Sequence, residues 1–324
     1  MSQSDRNDPS GLITIGITTF NAADTLDRAL ESALRQTWKR IEILVVDDCS
    51  TDSSLSLLTR RAETINGIRV FSNLANAGVA ASRNRIIAEA KGEFIAFFDD
   101  DDVSDPTRLE KQLQRILQYE ARFAHGEPVI CHTARTLVHE DGLSYCAPTM
   151  GEREGRRAPS GLDVARRILL GTPLEDGYGA MPTCSQMART TTYRVLGGFD
   201  VELRRSEDTE FNIRLALHDG HFLGLSEPLV TQFMTKSSEK SLKEELRNLR
   251  LVMQKHRAVM EAEGLYEFCI RWLDAKHLLL EGDRLAFVKA MAIIATRWPS
   301  ATYRRLAASR RNLSLNLAFS KFHR

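Results

Sequence analysis

The residues whose chemistry stands out first are four consecutive aspartates, Asp99 to Asp102, which follow the apolar run Phe94 to Phe98. Two carboxylates about 4 Å apart repel by about 1 kcal/mol in water and by about 4 kcal/mol at an effective dielectric constant of 20. Mg²⁺ or Mn²⁺ would offset this repulsion, taking one or two carboxylates together with phosphate and water oxygens. The run therefore predicts a metal site that receives a diphosphate. A solvated loop that caps the next helix is the alternative.

Two further acidic pairs have chemical interpretations. Asp47 and Asp48 end the apolar run Ile41 to Val46. A carboxylate there can accept a hydrogen bond from a nucleobase imide N–H, or it can cap the helix that follows. Glu207 and Asp208 begin another helical segment. One of them can serve as general base for an attacking hydroxyl, or can only favour the helix dipole as an N-cap.

A third signal is Asn76-Ala77-Gly78, which precedes a helical segment that carries Arg83. Gly78 permits a positive φ or a close backbone approach, and Arg83 can reach toward a phosphate. A loop glycine and a solvated helix face are the alternatives. The sequence has no G-x-x-x-x-G-K-[ST] loop and no G-x-G-x-x-G after its first strand, so P-loop and dinucleotide-binding interpretations are weak.

Strands and helices alternate in the part of the chain that must position these residues. Apolar runs predict strands over 12–19, 41–46, 68–71 and 94–98, and helical periodicity follows each of the first three. This alternation predicts a parallel sheet covered by helices on both faces. Ligands of such sheets bind outside the carboxyl ends of the strands, where the polar clusters fall. We expect one cleft to gather them.

Later segments predict a mixture of elements and then long helices. We expect helices over 106–123, 160–170 and 206–217, a strand over 129–138 and an extended segment over 181–189. From Ser237 onward two long helices are predicted, Glu239 to Glu263 and Tyr266 to Thr296. After Asp283 the chain carries basic residues and no acidic one. The last forty residues are therefore a basic, partly amphipathic tail.

Composition excludes several classes of protein. The chain has 324 residues, with 44 Lys plus Arg against 43 Asp plus Glu, which argues against strong attraction to nucleic acid. Its five cysteines form no C-x-x-C pair, which fits a reducing cytosol and argues against structural zinc. Residues 1–10 read as a disordered lead-in without a signal-peptide core. Because no uncharged apolar run approaches 18 residues, we expect a cytoplasmic protein that is soluble or peripheral to the membrane.

Taken in order, these motifs resemble a family 2 glycosyltransferase. The resemblance is carried by Thr14 to Asn21, Gln36-Thr37, Glu42 to Asp52, Asn76 to Gly78, Asp99 to Asp102, Gly198-Phe199-Asp200 and Glu207-Asp208. It implies a GT-A fold, an α/β Rossmann-like nucleotide-binding domain with a mixed sheet over 11–236, followed by a helical, basic C-terminal extension over 237–324. The activity it implies is inverting transfer of a sugar from a nucleotide diphosphate donor to an acceptor hydroxyl.

The resemblance also implies roles for individual residues. Nucleotide-binding positions are Thr18, Phe20, Asn21, Asp47, Arg83, Asp99 and Asp100. Asp99 and Asp101 match the D-x-D pair that binds Mn²⁺ or Mg²⁺, with Asp101 as the expected direct ligand. Asp208 matches the catalytic base, and Glu207 is the rival base. The stretch Val230 to Ser238 departs from the family pattern, since it lacks a histidine and arginine found in many members, and Lys236 is the expected substitute as a phosphate contact.

The implied partners are a nucleotide-sugar donor, with UDP expected from family frequency, and a glycan or lipid-linked acceptor in surface polysaccharide synthesis. The basic tail suits contact with an anionic membrane surface, and a helical subdomain or a homo-oligomer contact is the alternative. Two other functions stay open. One is a non-catalytic scaffold that binds nucleotide sugars, and the other is a nucleotidyltransferase, although the glycine-rich and basic loop expected after its first strand is absent.

Overall fold

The computed structural model of the protein describes residues 11–234 and 242–309. The expectations for residues 1–10, for Lys236 and for residues 310–324 of the basic tail lie outside the described residues. The division of the chain near residue 236 remains a prediction.

Nine strands and twelve α-helices lie within the described ranges. The strands are β1 (Ile13–Thr19), β2 (Ile41–Asp47), β3 (Ile68–Ser72), β4 (Phe94–Asp99), β5 (Val103–Ser104), β6 (Val129–His139), β7 (Ser144–Ala147), β8 (Met187–Arg189) and β9 (His221–Met234). The helices are α1 (Leu26–Leu34), α2 (Ser54–Thr64), α3 (Val79–Glu89), α4 (Arg108–Tyr119), α5 (Gly161–Leu170), α6 (Thr190–Val195), α7 (Glu207–Leu217), α8 (Leu242–Lys255), α9 (Arg257–Ala262), α10 (Tyr266–Leu280), α11 (Arg284–Arg297) and α12 (Pro299–Ser309).

The strands form one mixed sheet in the order β3-β2-β1-β4-β8-β6-β9-β5, with β7 paired to β6. Strands β1 to β4 are parallel, as their apolar runs and intervening helices predict. Strand β8 is antiparallel to both β4 and β6, whereas β9 is parallel to β6. The predicted α/β class, the mixed sheet and the helical C-terminal region are confirmed.

The core occupies both faces of the sheet because side chains of the central strands alternate between them. Ile13, Ile15 and Ile17 of β1 lie in one apolar cluster with residues of α1 and α4. Phe97 of β4 and Leu44 of β2 lie in the other, with residues of α3 and α7. Strand β4 contributes to both clusters and is apolar from Phe94 to Phe98, as expected for a strand buried on two faces.

The prediction of two long helices in the C-terminal part is wrong, because each of them is divided into two shorter helices. The segment Tyr266 to Thr296 is interrupted between α10 and α11, where Gly282 has φ of 87°. Asp283 then caps α11, because its Oδ1 accepts a hydrogen bond from the Ala286 amide at 2.9 Å. The first long helix is likewise divided, into α8 and α9, at His256, whose Nε2 lies 3.2 Å from Glu210 Oε1 of α7. Local turn and side-chain contacts thus override the continuous helical pattern.

These helices pack against the sheet domain through a shared apolar cluster. Met260, Phe268 and Leu273 belong to the same buried group as Leu169 of α5 and Phe211 of α7. Within the described ranges, no helix combines the length and apolar character needed to cross a bilayer.

Candidate active site

The polar clusters predicted from the sequence meet at the carboxyl ends of β1, β2 and β4. The parallel register places Thr18 beside Asp99 and Thr19 beside Asp47. The structure therefore brings the loops after these three strands to one edge of the sheet.

Asp47 is fully buried at this edge. Its Oδ2 accepts hydrogen bonds from the Ser50 amide at 3.1 Å and from Ser72 Oγ at 3.2 Å. Its Oδ1 is also buried and has no hydrogen-bond partner among the described residues. A buried carboxylate oxygen without a donor is costly, so this oxygen is suited to accept a hydrogen bond from a bound ligand.

Asp48 has a different role, which the sequence did not reveal. Its Oδ1 accepts from Asn73 Nδ2 at 2.7 Å and from the Ala77 amide at 3.0 Å, and its Oδ2 accepts from the Gly78 amide at 2.8 Å. Gly78 has φ of 91°, which glycine adopts without strain. Asp48 thus anchors the loop that begins α3. The adjacency of two aspartates after a strand was the available signal, but it did not separate their roles.

The loop after β1 is fixed mainly by Asn21. Its side-chain oxygen accepts a hydrogen bond from the Thr51 backbone amide at 2.8 Å, and its backbone amide donates one to Ser50 Oγ at 3.0 Å. Asn21 therefore joins the loops after β1 and β2. Phe20 is 45% exposed at the opening of the cleft, and Thr18 is half-buried beside it.

The first part of the acidic run, Asp99 to Asp101, is held by contacts with the loop after β1 and with α1. Asp99 is half-buried, and Asp100 Oδ2 accepts from the Phe20 amide at 3.3 Å. Burial, together with the charges of Asp101 and Asp99, raises the pKa of Asp100 to about 7. The backbone oxygen of Asp101 accepts from Arg28 Nη2 at 2.6 Å. The loop is therefore held by its backbone as well as by its carboxylates.

Asp102 is the most buried member of the run. Its Oδ1 accepts from the Phe233 amide of β9 at 3.3 Å, whereas its Oδ2 is buried without a hydrogen-bond partner among the described residues. Burial and the nearby charges of Asp99 and Asp101 raise the pKa of Asp102 to about 8. The uncharged form is thus favoured unless a positive charge binds nearby.

A group of side chains that could hold a cation is formed by Asp99, Asp102 and Cys184, whose ligand atoms lie within 4.8 Å of one another. The two carboxylates and the unpartnered Asp102 Oδ2 fit Mg²⁺ or Mn²⁺, which prefer oxygen ligands. Burial raises the pKa of the Cys184 thiol, so it adds little to such a site. The structure includes the predicted Asp99 in this group but does not include Asp101. Asp102 belongs to the acidic run that the sequence singles out, whereas Cys184 is an isolated cysteine that no sequence motif marks as a ligand.

Arg83 connects the acidic run to α7. It is buried, and its Nη1 donates to Glu207 Oε1 at 2.5 Å while its Nη2 lies 3.4 Å from Asp99 Oδ1. Although burial opposes its charge, the carboxylates of Glu207, Asp99 and Asp208 raise the pKa of Arg83. The guanidinium predicted to meet a phosphate is thus held between two carboxylates.

Asp208 follows Glu207 in the first turn of α7 and is half-buried. Its Oδ1 accepts from the Thr209 amide at 2.6 Å. Burial and the charge of Glu207 raise the pKa of Asp208 to about 6, although Arg83 acts in the opposite direction. A carboxylate with a pKa near 6 is a stronger base than an exposed aspartate and is still ionised at neutral pH. Asp208 is therefore better suited than the paired Glu207 to accept a proton.

The segment Gly198-Phe199 fixes α7 against α3. The Asn84 side chain donates from Nδ2 to the Phe199 carbonyl at 2.8 Å and accepts from the Phe199 amide at 2.7 Å. A Cβ on Gly198 would lie 2.3 Å from Asn84 Oδ1, so only glycine fits there. The Phe199 ring stacks on Phe211 of α7 at 4.9 Å.

Comparisons with known proteins agree with this architecture. Residues 14–161 match the family model described as Glycosyl transferase family 2. An uncharacterized glycosyltransferase of Haemophilus influenzae is 34% identical over 120 residues, which are 37% of this chain and 48% of that protein. The putative teichuronic acid biosynthesis glycosyltransferase TuaG of Bacillus subtilis is 29% identical over 158 residues, which are 44% of this chain and 63% of TuaG. The match thus spans less than two thirds of either relative.

Among solved structures, S. aureus TarS 1–349 superposes with a TM-score of 0.55 at 19% identity, over 82% of this chain and 71% of TarS 1–349. This likeness identifies the fold as GT-A-like. TarS 1–349 has also been solved in complex with UDP-GlcNAc. By the family match over residues 14–161 and by these relatives, this part of the chain is similar to the family 2 glycosyltransferases.

Proposed function

We propose that this protein transfers a sugar from a UDP-sugar to a hydroxyl of a glycan or lipid-linked acceptor, with inversion at the anomeric carbon. The observation that carries the proposal is the buried Arg83, which joins Glu207 at the start of α7 to Asp99 at the end of β4. This bridge holds the start of α7, which carries Asp208, against the end of β4, and this supports a shared site. A base on one side and a charged diphosphate site on the other are what a one-step displacement requires.

Asp208 is the proposed general base. Its carboxylate would take the proton of the acceptor hydroxyl as the oxygen attacks the anomeric carbon from the face opposite the diphosphate. The new glycosidic bond forms as the bond to the diphosphate oxygen breaks, so the configuration inverts. Glu207 is bound to Arg83 and is proposed to position that arginine rather than to accept the proton.

The proposed donor site lies over Asp47. The unpartnered Asp47 Oδ1 would accept the imide N–H of a uracil base, while Thr18, Phe20 and Asn21 border the same opening. UDP is supported by TarS, which has been solved with UDP-GlcNAc. A surface-polysaccharide acceptor is supported by the relative named for teichuronic acid biosynthesis.

Mn²⁺ or Mg²⁺ is the proposed cofactor, held by Asp99 with Asp101 or Asp102. When bound, the cation would stabilise negative charge on the leaving diphosphate. Arg83, Asp99 and Asp100 complete the polar lining of this side of the cleft.

A peripheral membrane contact is proposed for α11. Leu285, Val288 and Ile293 are 68%, 60% and 52% exposed, and Arg284 and Lys289 lie on the same helix. Exposed apolar side chains between cationic ones suit an anionic lipid surface. Co-sedimentation with vesicles containing phosphatidylglycerol should fall for a Leu285→Ser/Val288→Ser variant. Unchanged co-sedimentation would contradict the contact.

The function is tested by release of nucleoside diphosphate from UDP-, GDP- and dTDP-sugars, each with Mn²⁺, Mg²⁺ or a chelator. We expect metal-dependent release of UDP that is lost in Asp101→Ala and Asp208→Ala. Asp163→Asn, an exposed aspartate on α5, is the matched control and should retain the activity. Release of pyrophosphate from a nucleoside triphosphate supplied together with a sugar 1-phosphate would indicate nucleotidyl transfer. Binding of a nucleotide sugar without release of any product would indicate a scaffold.

A further inference from the structure

A second cleft lies between the loop before α7 and helix α8. It has a volume of about 480 Å³ and is lined by Glu202 and Arg204 from the loop and by α8 residues that include Glu244, Arg247, Arg250 and Leu251. Three arginines therefore line one opening, and none of them belongs to the site described above.

Within residues 11–234 and 242–309, two of these arginines have no carboxylate partner. Arg250 is bound by Asp274, and Glu202 is bound by Lys255. By contrast, no carboxylate among the described residues lies within ion-pair distance of Arg204 or Arg247. Arg204 has one neutral acceptor, since its Nη1 donates to Asn76 Oδ1 at 3.2 Å. Glu244, the other carboxylate of the lining, makes an interaction of its own. A bound anion would be attracted by the charges of both Arg204 and Arg247.

Arg204 links this cleft to the loop that begins α3, through its contact with Asn76. Arg204 lies over the start of α3, where a Cβ on Gly78 would be 2.6 Å from its Nη1. The loop that carries Arg204 is tied to α8 because Lys255 Nζ lies 2.8 Å from Asp200 Oδ2. Asp208 follows Arg204 by four positions, at the start of α7. Arg204 therefore lies beside the loop that begins α3 and close in sequence to the proposed base.

We propose that this cleft binds a phosphate group of the acceptor, through the guanidinium groups of Arg204 and Arg247. The inference rests on the proposed transfer, since only a transferase has an acceptor. A planar guanidinium matches the oxygens of phosphate and donates paired hydrogen bonds to them. The acceptor is favoured over the donor as the source of the phosphate because Arg247 belongs to the C-terminal helices and the adjoining loop leads directly to the proposed base.

The test is a calorimetric titration of inorganic phosphate into the protein saturated with UDP, in the presence of chelator. We expect wild type to bind phosphate, and Arg204→Gln and Arg247→Gln each to bind it at least about tenfold more weakly, as for loss of a hydrogen bond to a charged group. Arg60→Gln, an exposed arginine on α2, removes the same charge elsewhere and should bind phosphate as wild type does.

Equal phosphate binding in all four proteins, or no binding to the UDP-saturated wild type, would overturn the proposal. A parallel loss of UDP affinity in Arg247→Gln would assign the arginine to the donor diphosphate and would also overturn it. UDP-sugar turnover by wild type is measured separately and tests the proposed function itself. Phosphate binding without any UDP release would leave an anion site but would remove its assignment to an acceptor.

Discussion

Arg83 and Glu207 lie 124 residues apart in the chain and form a buried ion pair, with Nη1 of the arginine 2.5 Å from Oε1 of the glutamate. The same guanidinium lies 3.4 Å from Asp99 Oδ1. One residue comes from α3, one from α7 and one from β4, so the bridge fixes three elements relative to one another. It also pairs Glu207 with a cation, which is consistent with Asp208 as the proposed base.

Removal of half of this pair should destabilise the protein. Glu207→Ala leaves Arg83 buried without its nearest counter-charge, which we expect to lower the free energy of unfolding by about 3 kcal/mol. The double variant Arg83→Met/Glu207→Ala should recover much of the loss because no unpaired charge remains. Urea denaturation of the wild type, Glu207→Ala, Arg83→Met and the double variant measures the interaction energy between the two residues. Additive losses would show that the two residues do not interact.

The pH dependence of transfer should report the ionisation of Asp208. Because burial and Glu207 raise the pKa of Asp208 to about 6, the rate should fall by about tenfold for each pH unit below 6, as the base becomes protonated. Asp208→Asn should lower the rate by about 10²- to 10⁴-fold at every pH.

Glu207→Gln supplies the control for this assignment. It removes a like charge beside Asp208, so the acid limb should move to lower pH while measurable activity remains. A limb that stays in place would contradict the effect of Glu207 on Asp208. An inactive Glu207→Gln with an active Asp208→Asn would show that Glu207 is the base.

Asp47 should set affinity for the base of the donor. Asp47→Asn keeps the side-chain volume but replaces an acceptor pair by an amide, so UDP should bind about 10- to 100-fold more weakly. CDP should be affected less, since neutral cytosine has no imide N–H to donate. Calorimetric titration of both nucleotides measures the difference. Equal losses for UDP and CDP would contradict a contact between Asp47 and the imide.

Metal binding should distinguish the members of the acidic run. We expect Asp99→Asn and Asp101→Asn to weaken Mn²⁺ binding, measured by electron paramagnetic resonance, and chelator to abolish UDP release. Asp105→Asn is the matched control, because Asp105 Oδ1 only accepts from Thr107 and an asparagine oxygen can do the same. If Asp102→Asn weakens Mn²⁺ binding and Asp101→Asn does not, the buried carboxylates hold the cation instead of the D-x-D pair.

The first half of the fold could be predicted from the sequence because its signals are local. Strands β1 to β4 are rich in apolar and β-branched residues, and the polar clusters of the first hundred residues follow them. Strand β9 was not predicted. It contains Gly224 and Pro228 and pairs with β6 through an irregular register, so its order comes from a distant partner. The two-residue β5 and the short α6 have too few residues for a pattern to appear.

The site could be located from the sequence, but its internal contacts could not. Parallel strands must align their carboxyl ends, which is why Asp47 and Asp99 were expected in one cleft. The different roles of Asp47 and Asp48 depend on loop geometry. The ion pair between Arg83 and Glu207 depends on tertiary packing. Arg204 and Arg247 belong to no motif, so their shared cleft appears only when α8 is placed beside the loop.

The pairing of β5 with β9 has a consequence for the order of assembly. Val103 and Ser104 enter the sheet only by pairing with Thr231 and Val230, and Asp102 accepts from the Phe233 amide. The acidic run is made early on the ribosome, yet its final contacts come from a strand made about 130 residues later. The nascent chain therefore cannot complete its carboxylate cluster until β9 has emerged, and contacts so distant in sequence are slow to form. Catalytic competence should be one of the last properties that this chain acquires as it folds.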